Sequence, residues 1–211
     1  MSRAERRAQD ERAEKERLAR FESRCAALRS RGFTQKNCTI SLLSANVWGT
    51  AVILPFAAAA VLLFLFFTPP RALFPRFFAG DFFLLAALLA ASVPAHEFLH
   101  ALAYAAVNRS FRGIRLGILR VSAAPYCSCE AVMGRAAYLC GTLAPFLLLG
   151  VGISVAAVLT GYVALLVLGV FNLFAAGADA LVAAKLLTEG GGIFLDHPVS
   201  CGFYRFYKEK A

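Results

Sequence analysis

The chain has 211 residues, of which 59% are hydrophobic and 17% charged. Soluble domains average about 45–50% and about 25%, so an ordinary water-soluble globule is excluded; the apolar excess falls in long runs of the kind that cross bilayers. The net charge of +9 does not indicate nucleic acid, because no recognition motif accompanies it and the basic residues gather in one arm and beside the apolar runs.

Residues 1–37 hold 11 Lys+Arg and 6 Asp+Glu. They read as a charged helix over 3–32 with one narrow apolar stripe, Leu18, Phe21, Cys25 and Leu28, at spacings of three and four. Such a stripe suits a short coiled coil, a membrane-surface helix or a partly ordered arm. A charged segment of this length ahead of the first apolar run does not fit a cleaved signal peptide, so the first span reads as a retained anchor.

Four apolar runs follow, at about 40–68, 82–107, 136–159 and 162–187. Each exceeds the roughly 20 residues that cross a bilayer core. The first stops at Pro69-Pro70, and a turn at Thr160-Gly161 makes the last two antiparallel neighbours. Basic residues orient them. The arm, the 108–135 loop (Arg109, Arg112, Arg115, Arg120, Arg135) and the tail (Lys185, Arg205, Lys208, Lys210) are rich in them. The loop between the first two runs has only Arg71 and Arg76. Both termini and the middle loop are therefore expected in the cytoplasm. In that loop Ile114, Leu116 and Ile118 alternate with Arg115 and Gly117, a strand period, and 111–131 reads as a small hairpin. The expected fold is an all-α membrane protein of four transmembrane helices. A small cytoplasmic β-hairpin lies between the second and third, after a charged N-terminal helix. The expected units are the arm 1–37 and the four-helix unit 38–211.

The six cysteines form no CxxC pair. Most fall on the expected cytoplasmic side, where thiols stay reduced, and they read as free thiols, with a redox pair or second metal site as the alternative.

Charges inside the apolar runs carry the chemistry. Only Glu97 and Asp179 of the acidic residues, and His96 and His100 of the three histidines, fall well inside one. Such groups are costly in hydrocarbon and mark function. His96 and His100 are four apart and project from one helix face, a spacing that lets two imidazoles hold one Zn²⁺. Glu97 lies between them, placed to act on a metal-bound water as general base. A third ligand is then required. Asp179 is the candidate: its depth in the fourth run and that of the histidines in the second agree within roughly 3 Å at about 1.5 Å per residue. Asp196 and His197 in the tail are rivals. Asn172, two turns before Asp179, is a candidate for binding substrate or an oxyanion. A histidine pair in a membrane helix also suits haem or a proton path.

His96-Glu97-Phe98-Leu99-His100-Ala101-Leu102-Ala103 resembles the motif helix of site-2-protease-like intramembrane metalloproteases. More closely, the chain resembles a zincin peptidase family of small bacterial membrane proteins. The similar segments are that helix, Pro125-Tyr126-Cys127, Ala144-Pro145-Phe146, Asn172 through Asp179, and Asp196-x-Pro198, over about residues 80–204. The resemblance implies zinc held by His96, His100 and Asp179, with Glu97 catalytic, and hydrolysis of peptide bonds in or beside the membrane. The chain departs from the Asp-Gly pair of site-2 proteases, since Ala180 follows Asp179. The expected partners are membrane lipid and a membrane protein or peptide substrate, not nucleic acid. An unwound peptide would add as a strand beside Ile114 and Leu116. A non-catalytic membrane metal protein (a sensor, transporter component or adaptor) is the alternative.

Overall fold

The computed structural model describes residues 3–69, 79–119 and 124–209. Arg71, Arg76, Arg120 and Lys210, used above to orient the chain, lie outside them. Helix α1 (Arg3–Arg29) forms as the charge pattern predicts. Its stripe is covered by the chain itself: Phe21, Cys25 and Leu28 are buried against Leu195 and Phe206 of the tail. The coiled-coil and lipid-surface readings of that stripe are thereby corrected.

Strand β1 (Thr34–Ile40) follows, and then α2 (Leu42–Phe67), whose first turn is capped by Ser41 Oγ accepting from the Ser44 N–H. Helix α3 (Ala79–Asn108) carries the histidines. Strands β2 (Ile114–Leu119) and β3 (Ala124–Cys129) form the expected hairpin, antiparallel, with Leu116 opposite Cys127. A short β4 (Val132–Gly134) leads into α4 (Arg135–Pro145). Directly after Pro145 the backbone loosens into a π-helical stretch, Phe146–Gly152, before α5 (Ile153–Thr160). Gly161 ends α5 at φ 71°, the left-handed conformation that glycine adopts without a Cβ penalty. Helices α6 (Val163–Ala175) and α7 (Gly177–Thr188) follow, and then β5 (Ile193–Asp196) and β6 (Cys201–Tyr207).

Among the described residues three helices are long and apolar enough to cross a membrane: Leu42–Phe67, Asp81–Asn108 and Arg135–Thr160. A fourth is present if α6 and α7 count as one span bent by 49°. Their outer faces display Leu43, Phe66, Phe82 and Leu159, all more than half exposed, which suits lipid rather than water. These helices are consistent with an integral membrane protein.

Two expectations are corrected. The fourth apolar run is not one helix; it breaks at Ala176, which has a φ of −85° and a ψ of 11°. The fold is mostly helical but carries more β-structure than one hairpin: a four-stranded sheet of order β1-β6-β5-β4 draws on the arm, the loop and the tail. Strand β1 straddles residues 37 and 38 and pairs antiparallel with β6, Cys38 opposite Phe203.

This sheet is the middle layer of the molecule's polar end. Successive residues of β5 point to opposite faces: Phe194 enters one apolar cluster and Leu195 another. On the first face Phe194 and Phe203 meet Tyr104, Tyr138, Val182 and Leu186 at the ends of α3, α4 and α7. On the second face lies α1. Buried aromatic area of this kind stabilises by about 1.5–3 kcal/mol per side chain, which holds the helix ends against the sheet.

Candidate metal centre

His96 and His100 lie on one face of α3 and are both buried, each 7% exposed. Their rings stand edge to face, centroids 4.9 Å apart. Asp179 lies in the first turn of α7, just past the break. His96 Nε2 is 3.1 Å and His100 Nε2 is 3.5 Å from the same Asp179 Oδ2. The side chains that the depth comparison paired therefore stand together. One ligand atom from each can be chosen so that all three lie within 4.8 Å of one another.

The donor set fits a zinc ion. Tetrahedral ligands about 2.0 Å from one metal are about 3.3 Å apart, and the separations of 3.1 and 3.5 Å bracket that value. Charge points the same way. His100 Nδ1 is 2.8 Å from the Gly141 carbonyl, which can only accept, so Nδ1 carries the proton. In the neutral ring Nε2 then presents a lone pair to a carboxylate oxygen, an arrangement that a cation between them stabilises. A backbone carbonyl holding a ligand histidine in its tautomer is a usual feature of metal sites.

Gly141 is glycine for a packing reason. A Cβ there would lie 2.0 Å from Cε1 of Tyr104, one turn beyond His100. That close approach of α4 to α3 is what brings the Gly141 carbonyl to His100. The sequence held no signal for it, because a main-chain oxygen has no residue type.

Glu97 is half-buried and lines a cavity of about 170 Å³ with His96, Ser92, Val93, Pro125, Phe171, Asn172 and Ala175. Asn172 is 1% exposed; its amide donates to the Leu168 carbonyl at 2.8 Å, and its Oδ1 has no partner among the described residues. A second cavity, about 260 Å³, begins one turn further along both helices and is lined by His100, Tyr104, Tyr126, Cys127, Tyr138, Asp179 and Asp196 among others. The metal group thus stands where an apolar-level cavity meets one opening toward the sheet.

The hairpin is oriented differently from the expectation. Strand β3 contributes Pro125 to the first cavity and Tyr126 and Cys127 to the second, and the Cys127 backbone amide faces Glu97. Among the described residues neither cavity is lined by β2. Ile114 packs on the aromatic cluster and Leu116 is half-exposed, so β3 rather than β2 adjoins the centre.

The tail rivals take other roles. Asp196 accepts from the Tyr138 hydroxyl at 2.8 Å and the Cys129 N–H at 3.1 Å, tying the sheet to α4 and β3. Burial pushes its carboxyl up to about 6, against the pull of those two donors. His197 Nδ1 accepts from the Ser200 N–H at 2.9 Å, and its ring lies against Phe21 at 4.9 Å. The six cysteines are all free thiols.

Residues 89–191 match the model of a family described as "Putative zincin peptidase". The matched stretch contains His96, Glu97, His100, Asn172 and Asp179 and leaves out α1, β1, α2, β5 and β6. Its description supports a metallopeptidase and implies zinc. A search of curated proteins and a search of solved structures each found no match.

Proposed function

We propose that this chain is a membrane-embedded zinc metallopeptidase that hydrolyses peptide bonds of membrane-associated substrates. The observation that carries the reading is the convergence of His96, His100 and Asp179 on one point, with Glu97 on the wall of the adjoining cavity. His96, His100 and Asp179 would hold the metal, which would supply Lewis-acid activation of a water and of the scissile carbonyl. Glu97 would serve as the general base for the attacking water and return the proton to the leaving amine. His100 is held in its ligand tautomer by Gly141. Asn172 offers its unpartnered Oδ1 to a backbone N–H of an unwound peptide, and the open arrangement of the cavity around Phe171 and Val93 admits that peptide from the apolar side. The hairpin borders the peptide through β3, with Ile114 and Leu116 of β2 as its outer strand.

In this reading α6 and α7 form one broken span, giving four in all, and both termini are cytoplasmic, as the basic arm and middle loop favour. A broken helix inside the membrane is tolerated where it lines a cavity, and here the break delivers Asp179.

The test pairs cleavage with metal content, using purified protein in lipid nanodiscs and a fluorogenic peptide carrying a helix-breaking transmembrane segment. Glu97→Gln keeps zinc at wild-type stoichiometry and lowers turnover by about 10²–10⁴. Undiminished turnover removes Glu97 from the chemistry. Zinc without any wild-type turnover, across a panel of such peptides, leaves a metal-binding protein of the sensor, transporter or adaptor kind.

A further inference from the structure

The family match begins at residue 89, and α2, which precedes it, reads from sequence as an added anchor. The structure assigns it a different part: we infer that Gly49 of α2 is a positioning residue for the metal centre, setting where Asp179 stands. The inference rests on the zinc reading of His96, His100 and Asp179.

The buried face of α2 is Ala45, Gly49, Ile53, Ala57, Ala60 and Phe64, a run at spacings of three and four that begins with small residues. This face lies on the broken span. Ile53 packs with Leu173, Ala176 and Ala180, residues from both sides of the break. One turn earlier Gly49 meets the break itself. A Cβ built on Gly49 would lie 2.7 Å from the carbonyl carbon of Gly177, 2.8 Å from its oxygen and 3.0 Å from the Ala178 nitrogen. These are main-chain atoms of the first turn of α7, and they cannot turn aside as a side-chain tip can. Small residues at such crossings let two helix backbones touch.

What α7 presents to the other side is Asp179, two residues beyond Gly177. The break after α6 removes the continuous helix that would otherwise fix that residue. The first turn of α7 is held instead by its neighbours, α2 behind it and the two imidazoles in front. Adding one methyl group at Gly49 pushes the turn by several tenths of an ångström at least, toward or across the histidine face. A metal site responds to such shifts, because three ligands must meet one ion at bond-length tolerance.

The contact is asymmetric. A Cβ on Gly177 would meet Gly49 only at 3.1 and 3.2 Å, so Gly177→Ala disturbs the turn less than Gly49→Ala. A matched control lies elsewhere in the bundle. A Cβ on Gly169 of α6 would lie 2.5 Å from Ser154 Oγ and 2.8 Å from the Ser154 nitrogen, as severe a clash but on the other side of the break from Asp179 and nearly three turns before it.

The experiment measures zinc affinity by chelator competition, and the visible absorption of the cobalt(II)-substituted protein, for full-length wild type, Gly49→Ala, Gly177→Ala and Gly169→Ala in nanodiscs. Gly49→Ala is expected to lose about 10–100-fold in zinc affinity, the range seen when the support of a ligand is disturbed, and to change the cobalt bands. Gly177→Ala loses less, and Gly169→Ala keeps wild-type affinity and spectrum whatever its melting temperature. Alanine favours helix over glycine, so weaker metal binding in the two α2–α7 variants runs against local propensity. Wild-type affinity and spectrum in Gly49→Ala, or equal losses in Gly169→Ala, overturn the inference. If Gly49→Ala does not survive purification, Gly177→Ala decides on the same criteria. Absence of metal binding in the wild type overturns the zinc reading itself, a result distinct from failure of the Gly49 variant alone.

Discussion

The helical slab and the sheet-bearing end use polar groups in opposite ways. In the slab they are few, and the histidines and carboxylates among them converge: His96, His100 and Asp179 share one point, and Glu97 shares a cavity wall with Asn172. At the sheet end they are many and dispersed. Glu130 meets Arg20, Arg24 and Arg115 at 3.1–3.5 Å, Arg17 reaches the Tyr126 hydroxyl, and Glu189 meets Lys36 and Arg205. The lesson is one of redundancy. Where polarity is scarce each group has a unique task, and where it is plentiful the apolar cluster beneath carries the stability.

That contrast breaks down if stability and metal binding cannot be separated. The largest effect is expected for Phe194→Ala. Phe194 is fully buried, 5.4 Å from Phe203 and 6.5 Å from Tyr138 between ring centroids, and its removal should cost about 3–5 kcal/mol. Thermal unfolding reads this, while zinc affinity of the folded fraction stays within about threefold of wild type, the sheet making no ligand. Loss of zinc in step with stability would merge the two regions. Next comes Asp179→Ala, which should lower zinc affinity by at least about a hundredfold with little change in melting of the metal-free protein. Metal content by mass spectrometry is the check, and full retention would dissolve the three-ligand centre.

The smallest effect sharpens the other side. Lys36 Nζ at 2.8 Å, and Arg205 at 3.2 Å, hold the Glu189 carboxyl below its ordinary range. A carboxyl lowered by folding stabilises above its unfolded value, about 4.3, and that contribution disappears as pH falls through the lowered one. Glu189→Gln should therefore cost no more than about 1 kcal/mol at pH 7, the exposed lysine being screened. The gap from wild type should close below about pH 4. A gap that widens with acid would reverse the assignment.

Much of this architecture is legible in the residues. The apolar runs give the long helices, and Ile114, Leu116 and Ile118 give the hairpin by their alternation. Depth along two parallel runs brings Asp179 to His96 and His100, because rise per residue is nearly constant in any helix. The four-stranded sheet is less legible. Its strands are short, and Thr34 through Ile40 alternates only weakly. Cys201-Gly202-Phe203-Tyr204-Arg205-Phe206-Tyr207 does carry a strand signal in its aromatic density, which could have been read. The break at Ala176 falls among small residues of which Gly177 weakens a helix without specifying a break, and the contact of that turn with the backbone of Gly49 is long-range. Strand β3, not β2, borders the centre because a hairpin's alternation reports its pleat and leaves its docking edge unstated.

Pairing of β1 with β6 has a bearing on biogenesis. The second strand of that ladder follows every described helix in the chain, so the first must wait, unpaired, while those helices are synthesised. Long-range closure of this sort is slow, and the roof over the helix ends is completed only after the bundle beneath it. A ribosome stalled before Cys201 would leave a partly built protein with a bare strand edge, a natural target for quality-control proteases.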